Sequence, residues 1–149
     1  MSLNLRAATP DDAGRIVRFW RDSGASMAPG DSVESVRRAI SHPAAVMMLA
    51  EAGDELVGTL LGTFDGWRGN IYRLVVHPAR RRQGIARQLV KRIEQFFTEI
   101  GARRVTVLIE VDRPWAVAFW TAVGYPRDHH IVRHVGTMVS LEGVEGLGG

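Results

Sequence analysis

Leu74-Val75-Val76-His77-Pro78-Ala79-Arg80-Arg81-Arg82-Gln83-Gly84-Ile85-Ala86 is the stretch whose reading decides the fold of this 149-residue chain. An apolar run that reads as a strand passes through a basic, glycine-containing turn straight into a helix. That helix keeps its period through Ile85, Leu89, Ile93, Phe96 and Ile100 and stops at Gly101. The first N–H groups of a helix have no internal partners, and the macrodipole puts partial positive charge there, so consecutive amides can wrap a diphosphate. Here those amides belong to Arg82, Gln83, Gly84, Ile85, Ala86 and Arg87. Gly84 lets the backbone approach a phosphate without a Cβ in the way, and small Ala86 keeps the helix start open. Arg80, Arg81 and Arg87 add charge around it. On spacing alone the stretch also fits an ordinary strand-to-helix turn with solvated arginines.

Outward from this junction, strand and helix patterns alternate. Residues 3–7 read as a first strand, and Thr9-Pro10 opens a helix that runs to about Ser23 with Ala13, Ile16, Val17 and Trp20 on one face. Gly24 and Pro29-Gly30 make a loop on the substrate side. A second helix from Asp31 or Ser32 carries Val33, Val36 and Ile40 and ends at His42, because Pro43 disfavours helical geometry before it. Residues 46–50 and 56–64 flank Gly53-Asp54 as a hairpin, and 70–76 is the next strand. Beyond the central helix, 103–111 is rich in β-branched residues, 114–123 is helical, and 134–141 can close the sheet. The expected architecture is a single α/β domain over 1–142, a mostly antiparallel mixed sheet flanked by helices, with 143–149 a flexible tail.

Composition removes several chemistries. The chain has no cysteine, which excludes disulfides, thiolate metal sites and an acyl-cysteine intermediate. Its apolar stretches are far shorter than the ~20 residues of a membrane span, and no basic-then-apolar signal opens it, so the expectation is a cytoplasmic protein without a membrane partner. Nineteen Lys+Arg give a net charge of only +3. An anionic small partner fits that balance better than nucleic acid, for which no recognition helix or aromatic-interleaved basic strand is visible. His129, His130 and His134 lack a further ligand at matching spacing, and no metal is expected.

Arg81-x-x-Gly84-x-Ala86, following a strand that ends Val75-Val76-His77-Pro78, resembles the Arg/Gln-x-x-Gly-x-Gly/Ala signature of the GNAT N-acetyltransferase superfamily. Ala116-x-x-Phe119-Trp120-x-x-x-Gly124-Tyr125 is similar to that family's downstream helix, and Leu5-Arg6-x-Ala8-Thr9-x-x-Asp12 and Leu56-Val57-Gly58 to its earlier segments. The resemblance covers about residues 3–141 and implies the GNAT fold, with acetyl-CoA as cosubstrate. It implies that the main chain of Leu74, Val75 and Val76 holds the pantetheine arm, that Val76 N–H faces the developing oxyanion, and that Arg81 through the Arg87 amide holds the diphosphate. Phe119 and Trp120 are expected against the cofactor arm.

Transfer to an amine needs a neutral nucleophile, an oxyanion donor and a proton route. Alternation along 103–111 would put Thr106, Leu108, Glu110 and Asp112 on one face. The family often carries a carboxylate at this strand's end, so Glu110 is the candidate base. As a purely structural residue it would pair with Arg73 or Arg113, and Asp112 could equally cap the helix at Pro114. Trp120 stands where many relatives have the tyrosine that protonates the leaving thiolate, and indole cannot act as that acid. Tyr125, Tyr72 or water are the substitutes, and His77 is a weaker proton carrier. Arg113-Pro114-Trp115 departs from the family's usual asparagine, with Trp115 either lining the pocket or packing at the helix start. The expected function is acetyl transfer from acetyl-CoA to a primary amine, on a protein or a small molecule. The alternative is a catalytically weak acetyl-CoA-binding module, motivated by the missing tyrosine. The late strand would offer an edge for a homodimer.

Overall fold

The computed structural model describes residues 2–138. Its chain runs β1 (Leu3–Ala7), α1 (Ala13–Asp22), α2 (Val33–Ser41), β2 (Ala45–Ala52), β3 (Glu55–Phe64), β4 (Gly69–Val76), α3 (Ile85–Ile100), β5 (Val105–Val107) and α4 (Pro114–Ala122). The sheet has five strands in sequence order; β1 through β4 pair antiparallel and β5 joins β4 in parallel. Among the described residues no helix is long and apolar enough to cross a membrane.

Alternation along β2 builds a core on each face of the sheet. Met48 and Ala50 point to the α3 side, Met47 and Leu49 to the α1/α2 side. The α1 stripe of Ala13, Ile16, Val17 and Trp20 is buried against the second set. A short 3-10 turn over Pro10–Asp12 leads into α1, and Ser32 caps α2 by accepting the Ser35 N–H at 3.2 Å. Arg6 ties the start of α1 to the sheet, donating to both Asp12 oxygens at 2.9 Å and to Glu51 at 2.7 Å. Those Arg6 bonds hold the Asp12 carboxyl down at about 2.

Helix α3 lies unusually close to β3 and β4 because the strands present glycines beneath it. A Cβ on Gly62 would sit 2.5 Å from Ile93 Cδ1, and one on Gly69 would sit 2.6 Å from Phe97 Cε1. Both helix side chains are buried, so neither has room to withdraw. Phe97, rather than Phe96, fills this contact, which continues the stripe of Ile85, Leu89 and Ile93.

Two expectations change here. The strand expected over 103–111 forms a ladder only at Val105–Val107, which face Gly69–Ile71, with Gly69 N–H donating to the Arg104 carbonyl at 2.9 Å; beyond Val107 β4 and the following chain diverge, leaving 108–111 without a ladder partner. The expected closing strand does not form over 134–138, where Val135 and Met138 stand 68% and 87% exposed with no strand beside them. Its remaining residues 139–141, and the expected tail 143–149, lie outside the described residues.

Gly62→Val keeps strand-compatible geometry while adding bulk under α3. It should lower unfolding free energy by ~1–3 kcal/mol in urea denaturation. An unchanged midpoint would mean that the helix does not depend on this close approach.

Candidate active site

The site begins with an irregularity in β4. Arg73 has φ +57°, a left-handed conformation that L side chains rarely adopt, and the β3–β4 register shifts between Thr59 and Leu61. Thr59, fully buried, donates its hydroxyl to the Arg73 carbonyl at 3.0 Å and accepts the Trp20 indole N–H at 2.9 Å. The Arg73 side chain then donates to the Ser26 carbonyl at 2.6 Å, forms an ion pair with Asp31, and lies 4.7 Å above the Trp20 ring. One residue thus fixes both the bend in β4 and the loop between α1 and α2.

After the bend, β4 keeps β3 as its neighbour and loses β5. His77 N–H donates to the Val57 carbonyl at 2.9 Å. The two-residue alternation therefore turns Val75 N–H toward β3 and the N–H groups of Leu74 and Val76 toward the open side. That side is a cleft of about 480 Å³. Its first wall is β4 from Ile71 to Val76. Its second is the chain after β5, with Ile109, Glu110 and Arg113, continued by Trp115, Ala116 and Trp120 of α4. The α1–α2 loop covers the end near Ser26 and Asp31, and Arg133 contributes from the segment after α4.

At the other end of β4, Arg82 and Gly84 have φ of +64° and +80° on either side of Gln83. Left-handed residues in a turn draw successive amides to one side and make an anion-binding concavity. The first helical bond of α3 runs from Gln88 N–H to the Gly84 carbonyl at 3.1 Å, so the amides of Ile85, Ala86 and Arg87 have no helical acceptor. A Cβ built on Gly84 meets no atom within 4 Å, so the space above this turn is open to a ligand. Arg81 reaches the cleft and lies 4.8 Å over the Trp115 ring. Arg80 turns to Glu55 at 3.0 Å.

Of the residues read from the sequence, Leu74, Val75, Val76, Arg81, Glu110 and Trp120 meet at the cleft. Arg82, Gln83, Gly84, Ala86 and Arg87 form the turn and helix start; Ile85 directs its side chain into the core. Phe119 packs edge-on to Trp120, with ring centroids 5.4 Å apart, outside the cleft wall. Glu110 accepts from Arg113 Nε at 3.1 Å and from the Ser26 hydroxyl. The Ser26 bond first, then Arg113, holds its carboxyl below the usual range. The strand alternation that singled it out does not extend to it, since β5 ends at Val107.

The structure separates Tyr125 from Glu110. The Tyr125 hydroxyl donates to Glu94 at 2.9 Å on α3, its ring stands edge-on to Trp120, and burial together with that carboxylate raises its pKa. Tyr72 does line the cleft, whereas His77 accepts the Ala79 N–H at 3.1 Å and caps a short turn. Sequence reasoning put the loops 24–31 and 125–133 on the acceptor side but gave Ser26, Asp31 and Arg133 no individual role, and placed Arg73 and Arg113 only as surface partners of Glu110. No local pattern marks an arginine in a strand as a bulge. Among the described residues no group of three His, Cys, Asp or Glu is placed to hold a metal.

The model of the Acetyltransferase (GNAT) family matches residues 15–125. The chain belongs to that family. The same fold occurs in solved structures of low sequence identity. One is AAC(6')-Iy in complex with the bisubstrate analogue CoA-S-monomethyl-acetylneamine, 11% identical, with 93% of this chain and 100% of that one covered at a TM-score of 0.77. A second is an aminoglycoside acetyltransferase from an uncultured soil metagenomic sample, 23% identical, with 94% and 100% covered at 0.69. A third is a predicted acetyltransferase with acetyl-CoA from Clostridium acetobutylicum, 17% identical, with 90% and 96% covered at 0.73. GNAT proteins use acetyl-CoA; in this chain β4 has no strand beside it beyond Ile71 on the β5 side, and the first amides of α3 have no helical acceptor.

Thr59→Val deletes the acceptor for a buried indole N–H and the donor to the bulge carbonyl. The variant should lose ~1–3 kcal/mol of stability and bind acetyl-CoA more weakly, whereas Thr59→Ser retains both. Calorimetry combined with denaturation reads the two effects. Full acetyl-CoA affinity in Thr59→Val would disconnect the bulge from the cofactor edge.

Proposed function

We propose that the protein transfers an acetyl group from acetyl-CoA directly to a primary amine. The observation that carries this reading is the free edge of β4, which ends beside the left-handed turn at Arg82 and Gly84. The thioester supplies the acyl group. Leu74 and Val76 offer N–H groups to the arm, and Val76 is the donor facing the carbonyl oxygen as charge develops there. The amides of Gln83, Gly84, Ile85, Ala86 and Arg87 hold the diphosphate, with Arg81 and Arg82 adding charge. Trp120, only 3% exposed, packs at the base of the cleft, and Phe119 supports it from behind.

In this reading Glu110 receives the proton that the amine gives up. Its pKa is depressed, so it is an anion at neutral pH and a poor base toward a free alkylammonium. The nitrogen becomes far more acidic once its lone pair bonds to the acyl carbon, and a carboxylate can then accept its proton, directly or through one water. The Tyr125 hydroxyl is committed to Glu94 and takes no part; as the tetrahedral adduct collapses its C–S bond breaks, and the CoA thiolate leaves and takes a proton from water or from Tyr72 at the cleft. With no cysteine in the chain, no acyl-cysteine step intervenes. Two of the structural relatives act on aminoglycosides; a small-molecule amine is therefore one acceptor class, alongside protein N-termini and lysines. Trp120 at the usual tyrosine position favours one second reading, a module that binds acetyl-CoA without turnover.

Titration with acetyl-CoA by calorimetry, repeated with Gly84→Glu, tests the cofactor site. Wild-type binding abolished by the substitution is the expected result, since a carboxylate would occupy the diphosphate's place and a Cβ would strain φ +80°. No binding by the wild type would remove the acetyltransferase reading, and binding without turnover on an amine panel would leave the module.

Glu110→Gln should lower kcat/KM by ~10²-fold. Because folding depresses the Glu110 pKa, its carboxylate is present above its ordinary range and is lost only as pH falls through the lower value. In the wild type log kcat/KM should therefore rise with pH only up to the acceptor's own pKa, with no inflection from Glu110 near neutrality. A neutral-pH inflection that vanishes in Glu110→Gln would contradict this assignment.

A further inference from the structure

The charges on the cleft wall select among amines, an inference that rests on the acetyltransferase reading. Two carboxylates line the cleft, Asp31 and Glu110, and each is matched within the wall: Asp31 by Arg73, Glu110 by Arg113. Both guanidiniums also bond loop carbonyls, Arg73 that of Ser26 at 2.6 Å and Arg113 that of Gly24 at 3.2 Å. The pairs are thereby part of the wall's construction. A polycationic acceptor would need several unmatched carboxylates, and among the described lining residues there are none.

The surplus runs the other way. Arg81 lies over Trp115, on the same chain segment as the diphosphate turn. Arg133 also lines the cleft, exposed, and among the described residues it has no carboxylate partner. An unpaired guanidinium at a cleft is suited to a carboxylate, which it can hold through two parallel hydrogen bonds. We infer that the acceptor is a primary amine that also bears a carboxylate, an amino acid or short peptide, and that Arg133 reads that carboxylate. The amine end then faces Glu110 and the Val76 N–H, and the carboxylate end faces Arg133. The carboxylate end meets opposite charge at Arg133, whereas a polyamine or aminoglycoside would bring further cations against it.

Steady-state acetylation of alanine, leucine and glycylglycine, each against its C-terminal amide and alongside spermidine, tests this in the wild type and Arg133→Gln, with acetyl-CoA binding followed by calorimetry. The wild type should favour the free carboxylate by ~10-fold or more in kcat/KM. Arg133→Gln should erase that preference through KM while leaving acetyl-CoA affinity and kcat unchanged, and Arg133→Lys should restore part of it. Turnover with equal rates on acid and amide, or faster on spermidine, would overturn the inference and leave the acetyltransferase reading standing. Weaker acetyl-CoA binding in Arg133→Gln with acid preference intact would assign Arg133 to the diphosphate and overturn its role. Acetyl-CoA binding with no turnover on any of these amines would overturn this inference, while the acetyltransferase reading would fall only if the wider amine panel also showed no turnover.

Discussion

The left-handed kink at Arg73 is the constraint on which the rest of the site depends. A residue with a side chain held at φ +57° costs about 1–3 kcal/mol. The surrounding structure offsets that cost at three points. Thr59 bonds the kinked carbonyl, Trp20 bonds Thr59, and the guanidinium of Arg73 itself is fastened to Ser26 and Asp31. The result is a strand that leaves its parallel neighbour after Ile71 and turns a row of N–H groups to a cleft rather than to another strand.

The far end of the cleft is positioned by core packing. Helix α3 approaches the sheet only because Gly58, Gly62 and Gly69 leave room for Ile85, Leu89, Ile93 and Phe97. Those contacts fix the height and direction of the helix, and so the place of its first amides beside Val76. The position of the helix start is a consequence of how tightly a buried stripe seats on three glycines, which couples fold stability to the geometry of the turn at Arg82 and Gly84.

The strand–turn–helix from Leu74 to Arg87 was legible because everything that defines it is local: an apolar run, a glycine that tolerates left-handed geometry, and a helical period behind it. The helices and the β2–β3 hairpin were legible for the same reason, and their bounds agree closely with the sequence expectation. The strand over 103–111 was overextended because β-branched content reports what a residue tolerates and not whether a partner strand is present. The surroundings of Tyr125 were illegible on similar grounds. Its proximity to the second motif says nothing of the Glu94 carboxylate, thirty-one positions earlier, that takes its hydroxyl.

By itself, the sequence determined the GNAT family and the α/β fold, since the short-range patterns of the strand–turn–helix and of the second motif carry both. It also determined that no cysteine chemistry is available. Only the tertiary structure decided which charges share the cleft. Arg73 meets Asp31 across forty-two positions, Arg113 reaches Gly24 across eighty-nine, and Arg133 stands without a carboxylate among the described residues. Ion pairing is a matter of distance in space, and a linear pattern of arginines and carboxylates does not contain it until the sheet has brought the loops together.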